Sequence, residues 1–212
     1  PGEIELITFP LILILFIFSA FAIRILIALN GMNDPVKYFQ YSDSGTYIRP
    51  ALAILKTGKF NESPESGKPY SLRTPGYPLF LAAVFAINKH NSIFHIIIFI
   101  LISSLTCLPI FLTAKLFFNE KAGLIAAGLF ALNITSISNA PLYLTDTLYS
   151  FIIAWKLFFF SKYYFNKKIR DIVCAAVLYG AATQIRPMAL FWIAPAIFLI
   201  LIMTGAKLKT KL

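Results

Sequence analysis

The ten residues Tyr41-Ser42-Asp43-Ser44-Gly45-Thr46-Tyr47-Ile48-Arg49-Pro50 put a carboxylate, a guanidinium, three aliphatic hydroxyls and two phenols directly after a long apolar run. An aspartate in that company can cap a helix N-terminus or accept a proton from a hydroxyl. Asp146, in Leu144-Thr145-Asp146-Thr147, precedes another apolar run, where a helix cap accounts for it. Asp34 sits in Asn33-Asp34-Pro35, a turn signal. Arg24, Arg73 and Arg186 raise the question of which anion they meet, since the segments outside the apolar runs offer them only Asp34, Asp43, Glu62, Glu65 and Asp146. Arg24 lies inside an apolar run, where a charge costs about 2.5–3.5 kcal/mol at the centre of a bilayer, so it is predicted to face a helix bundle and to have a partner there. Lys156 raises the same question, with snorkelling as the other answer.

These residues need elements to carry them, and composition says which. The 212-residue chain is 58% hydrophobic and 16% aromatic, with 13% charged residues. Apolar runs of roughly 18 or more residues recur, each long enough for a ~30 Å hydrocarbon layer. The expected fold class is therefore all-α: a polytopic transmembrane helical bundle of about six spans, at 6–29, 92–118, 121–138, 147–165, 170–186 and 188–205, forming one transmembrane domain over 1–212. Residues 77–88 are apolar but reach only ~18 Å, which predicts an interfacial helix. Pro109 is expected to kink the second span, and Arg186-Pro187 to end the fifth in a tight hairpin. Cys107 and Cys174 both lie in apolar runs and give no disulfide or metal framework. His90 and His95 have no ligand spacing with other metal-binding residues, so no metal role is assigned.

Lys162, Lys167, Lys168 and Arg170 crowd one short connection, and Lys207, Lys209 and Lys211 the tail, which orients both toward the cytoplasm. Alternation then places 30–91, the Pro141–Asp146 turn and the Arg186 hairpin outside. In the 30–91 loop, Asp43, Tyr47, Ala51 and Leu55 recur every fourth residue, a helical face that Gly58 stops; Pro50 argues that Asp43 lies in a separate turn before it. Residues 59–70 read as a flexible connection.

Four pieces, DSGTYIRPALAILKTGKF, RTPGYPLFLAAVFAI, APLYLTDTLYSFIIAW and GAATQIRPMALFW, follow one another from about residue 22 to 193. In order and spacing they resemble the GT-C integral-membrane glycosyltransferases that use polyprenyl-phosphate sugars, such as protein O-mannosyltransferases and the lipid A aminoarabinose transferase. The resemblance implies transfer of a sugar from a polyprenyl-phosphate-linked donor to an acceptor hydroxyl at the extracytoplasmic face. It implies Asp43 as catalytic base, Asp146 as a contributor to donor or acceptor binding, and Arg186, Arg73 and Arg24 as candidates for the lipid-linked phosphate. Tyr47, one helical turn from Asp43, would wall the site; with Tyr41, Tyr70 and Tyr77 it could stack on a sugar or belong to an interfacial aromatic belt. The implied partners are the donor, a lipid, glycan or protein acceptor, and the membrane. No cofactor is implied, and a divalent-metal requirement is not legible. Members of that family usually have eleven or more spans, so the chain reads as an N-terminal portion.

The competing classes are a transporter or lipid flippase, with Arg24, Lys156 and Arg186 lining a path, and a non-catalytic membrane subunit. No internal repeat favours the transporter. The net charge of +10 is spread over both sides and points to anionic lipid and topology, not nucleic acid. A reporter fused after Leu212 is expected in the cytoplasm; an extracytoplasmic reporter would reverse the orientation.

Overall fold

The computed structural model describes residues 2–89 and 91–192, together with positions 195, 197 and 198. Among the described residues the protein is all-helical without a strand, and the one pairing of extended backbone is a bridge between Asn61 and Pro69. The chain runs through α1 (Gly2–Ala28), the five-residue α2 (Pro35–Phe39), α3 (Gly45–Thr57) and α4 (Gly76–Ile87). It continues through α5 (Ser92–Leu105), α6 (Cys107–Phe117), α7 (Glu120–Ala131), α8 (Ile134–Asn139), α9 (Asp146–Asn166) and α10 (Ile169–Ile185), ending in a 3₁₀ turn, Pro187–Trp192.

Among the described residues two stretches are long and apolar enough to cross a bilayer, Phe9–Gly31 and Ser92–Phe117. The second is broken at Thr106, where α5 gives way to α6; Pro109 has no N–H for the Leu105 carbonyl four residues back, so the expected kink falls there. α9 has 21 residues, enough for ~31 Å, but carries Asp146, Lys156 and Lys162. The third crossing, expected unbroken over 121–138, is instead two helices of 12 and 6 residues. Asn133 interrupts it: its side chain accepts from the Ser136 N–H at 2.8 Å and so caps α8. The crossing expected over 188–205 lies largely outside the described residues.

The 30–91 segment carries its short helices as expected. Asp34 caps α2 through a 3.3 Å bond from the Lys37 N–H, and Gly58 ends α3 in the left-handed region at φ 69°. Residues 59–70 are no flexible connection but a closed loop. Glu62 N–H donates to Lys68 O at 2.9 Å, Tyr70 N–H to Phe60 O at 3.0 Å, and the Phe60 and Tyr70 rings meet edge to face.

That loop resolves the difficulty posed by Pro50, which sits inside α3. A proline there leaves the carbonyl of Thr46, four residues earlier, without its helical donor. The Tyr70 hydroxyl supplies one, donating to Thr46 O at 2.7 Å. Helix α3 therefore continues through Pro50, with Asp43 in the turn before it, where Thr46 N–H and hydroxyl both donate to Asp43 O.

One buried cluster joins α3, α4, α5 and the 140–143 turn through Tyr47, Tyr77, Leu81, Phe85, Phe99 and Tyr143; a second joins α1, α6 and α7 through Leu13, Ala20, Phe111, Leu124 and Ala127. Gly76 opens α4 where it abuts α10: a Cβ there would lie 2.5 Å from the Gln184 carbonyl oxygen. Only glycine permits that approach.

Tyr70→Phe is expected to destabilise the protein by about 0.5–1.5 kcal/mol in thermal unfolding, the worth of one hydrogen bond to a helix carbonyl. In a Pro50→Ala background, where the introduced alanine's N–H again serves Thr46 O, the same change should cost less. Equal costs in both backgrounds would separate Tyr70 from Pro50.

Candidate functional site

Asp43 is exposed, and its Oδ2 meets Nη2 of Arg73 at 3.0 Å. Nε of the same guanidinium donates to the Thr46 hydroxyl at 3.3 Å, and its plane lies 5.2 Å from the Tyr47 ring centre. The turn before α3 and the strap leading into α4 are thus tied by one side chain. The position of Arg73 follows from the helix: Thr46 and Tyr47 form the first turn of α3, three and four residues after Asp43, on the face that the strap crosses.

A second cluster uses the same residue types. Arg186 Nη2 lies 2.7 Å from Asp146 Oδ2, its Nε donates to the Thr145 hydroxyl at 2.7 Å, and its plane lies 5.5 Å from the Tyr149 ring centre. Arg186 is in extended conformation, as a residue before proline prefers, which carries its side chain off the end of α10 toward the start of α9. Each arginine thus commits Nε to a threonine and Nη2 to an aspartate; among the described residues Nη1 of each has no protein acceptor.

Helix α4 stands between the clusters. Tyr77 meets Tyr47 edge to face at 5.1 Å on one side, and Gly76 abuts Gln184, two residues before Arg186, on the other. Burial, with the Tyr143 and Tyr47 phenols and the Asp146 carboxylate nearby, holds the Tyr77 phenol well above its ordinary range. The turn bearing Thr145 and Asp146 is fixed in turn by Tyr143, whose hydroxyl is 3.0 Å from His95 Nδ1 while His95 Nε2 is 2.6 Å from Asn88 O. A carbonyl only accepts, so Nε2 carries the proton and Nδ1 accepts from Tyr143. Burial pushes the Tyr143 phenol up to about 12.

Arg24 is fully buried, away from both clusters. It donates from Nε to the Ser103 hydroxyl at 2.9 Å, from Nη1 to Ala20 O at 3.0 Å and Ala131 O at 3.1 Å, and from Nη2 to the Ser136 hydroxyl at 2.9 Å. The Ala131 carbonyl is there to accept because α7 stops at that residue. The expected partner of Arg24 is therefore a set of hydroxyls and carbonyls, and no carboxylate pairs with it among the described residues. Lys156 lies over the Tyr179 ring at 5.4 Å, between α9 and α10. Among the described residues no group of three or more His, Cys, Asp or Glu side chains could hold a metal ion.

Asp43, Tyr47, Arg73, Asp146 and Arg186, all legible as candidates in the sequence, are sorted by the fold into two clusters. Thr46, Thr145 and Tyr149 were not among those candidates. Their signal was position: Thr46 and Tyr149 lie three residues after the two aspartates, and Thr145 beside one of them.

The family model for dolichyl-phosphate-mannose-protein mannosyltransferase matches residues 71–212. No curated protein and no solved structure matches the chain.

A double-mutant cycle of Asp146→Asn and Arg186→Gln is expected to give a coupling of about 0.2–1 kcal/mol in thermal unfolding, since both side chains are about one-third exposed and water screens the pair. Zero coupling would mean that Arg186 is held by Thr145 alone.

Proposed function

Because this chain belongs to the dolichyl-phosphate-mannose-protein mannosyltransferase family, we propose that it transfers a sugar from a polyprenyl-phosphate-linked donor, of the dolichyl-phosphate-mannose type, to an acceptor hydroxyl at the extracytoplasmic face of the membrane. In this reading 1–212 is one transmembrane domain of about six spans, and the 30–91 segment, the Pro141–Asp146 turn and Arg186 face outward together. The observation that carries it is the pair of Asp–Arg–Thr–Tyr clusters flanking the start of α4, each with an arginine edge to spare.

The residues divide the reaction between them. The exposed Asp43 carboxylate takes the proton of the acceptor hydroxyl as its oxygen bonds to the sugar's anomeric carbon. The bond from that carbon to the phosphate oxygen breaks, and the lipid phosphate leaves with the bonding pair. Arg73 and Arg186 offer Nη1 to phosphate oxygens whose charge grows in the transition state, which is where such donors lower a barrier. Asp146 holds Arg186 in place and has its second oxygen available to a sugar or acceptor hydroxyl. Tyr47 and Tyr149 keep the two guanidinium planes from swinging.

Asp43→Asn keeps the size of the side chain and removes the proton acceptor. In the full-length enzyme with dolichyl-phosphate mannose, donor binding should survive while transfer falls about 10²- to 10⁴-fold. Transfer at close to the parent rate would move the base elsewhere, with Asp146 the next residue to test.

A further inference from the structure

Asp146 also lines a cavity of about 220 Å³ between α5, α7, α8 and α9. We propose that this cavity receives a sugar ring, and that buried Arg24 sets the direction of its hydrogen bonds. The inference rests on the reading of the protein as a glycosyltransferase and adds to it a place and a recognition chemistry.

The polarity of the wall follows from which protons are already committed. Ser103 and Ser136 both line the cavity, and each hydroxyl oxygen already accepts from Arg24. Among the described residues neither gives its proton to a backbone carbonyl, whereas neighbouring Ser104 donates to Ile100 O at 2.8 Å. Their oxygens are 3.4 Å apart, so one can donate to the other, and the remaining O–H is available to a ligand in the cavity. Asn133 uses its Oδ1 to accept from the Ser136 N–H and keeps its NH₂ as a second donor. Thr106 and Thr147 do the reverse: their hydroxyls donate to Ile102 O at 3.0 Å and Asn139 O at 3.2 Å, leaving lone pairs for the cavity. Asp146 adds a charged acceptor.

Donors and acceptors set side by side, with Ser103 and Thr106 one turn apart at the end of α5, suit a ligand whose every group both donates and accepts, which is a ring of hydroxyls. An anion would meet the Asp146 carboxylate, and an apolar group would leave these polar atoms unpaired. The volume corresponds to about seven waters at ~30 Å³ each, room for one six-membered ring. Phe130 supplies an apolar wall for the ring's C–H face. Thr106, Phe130 and Ser150 also line an adjoining apolar groove of about 520 Å³, as befits a ring attached to a hydrocarbon chain. Arg24 is a positioning residue here, acting through the two serines.

The test uses the full-length protein in lipid nanodiscs, with Ser136→Ala to remove a committed hydroxyl and Asn133→Asp to keep the α8 cap while turning its cavity donor into an acceptor. If the ring belongs to the donor, both variants bind dolichyl-phosphate mannose about tenfold more weakly and bind sugar-free dolichyl phosphate as before. If it belongs to a glycan acceptor, donor affinity holds and the acceptor KM rises by a similar factor. Unchanged donor affinity and KM in folded variants, or equal weakening toward both lipids, would overturn the proposal. Should the parent protein neither bind nor use dolichyl-phosphate mannose, the enzymatic reading fails by itself. The cavity is then judged with methyl α-mannoside, which slows maleimide labelling of a Ser150→Cys variant if the ring sits there and leaves it unchanged if it does not.

Discussion

An arginine in or beside hydrocarbon must find acceptors, and much of this architecture follows from where three of them do. Leaving a guanidinium unpaired there costs more than most single contacts return. Arg24 finds its acceptors on α5, on the end of α7 and on α8, so one side chain holds four helices at fixed distances. Arg73 finds Asp43 and Thr46, and Arg186 finds Asp146 and Thr145. Apart from the Arg24–Ala20 bond within α1, each joins parts of the chain that hydrophobic packing alone would leave free to slide.

The same requirement explains the irregular backbone. A carbonyl freed by a helix break is costly unless something donates to it. The break after Ala131 hands a carbonyl to Arg24, and Pro50 hands the carbonyl of Thr46 to Tyr70. Both interruptions lie next to residues given roles in the proposed reaction, so the elements weakest by local propensity are those the tertiary structure secures. The arginines of the two Asp–Arg–Thr–Tyr clusters are held by two edges and leave a third, a geometry that can take a phosphate without first dissolving the protein's own ion pairs.

Hydropathy and punctuation made the helices legible. The long runs gave α1, α5–α6, α9 and α10; Gly58 and Pro109 fell at a helix end and a break; and the shortness of residues 77–88 anticipated the 12-residue α4. The break at Asn133 was missed because the polar residues of 133–139, Asn133, Thr135, Ser136, Ser138 and Asn139, are all uncharged, and a run interrupted only by uncharged residues still reads as one span. The order in residues 59–70 was missed because it depends on backbone pairing and on Tyr70, which no composition rule registers. The three arginines stood out because they lack obvious anionic partners, whereas Asp43 and Asp146 read as helix caps until the family resemblance gave them roles. Their pairing was not legible, since Arg24 reaches partners 79 to 112 residues away and Arg186 bonds Thr145 across 41.

The central claim is that the two clusters face one lipid-linked substrate on the outer side of the membrane. A photoactivatable analogue of dolichyl-phosphate mannose, with its reactive group next to the phosphate, tests this most directly when crosslinked to the full-length protein and mapped by mass spectrometry. The account predicts adducts in the segments around Asp43, Arg73 to Tyr77, Asp146 and Arg186. Adducts confined to the basic turn at Lys162, Lys167, Lys168 and Arg170, at the opposite ends of α9 and α10, would contradict it.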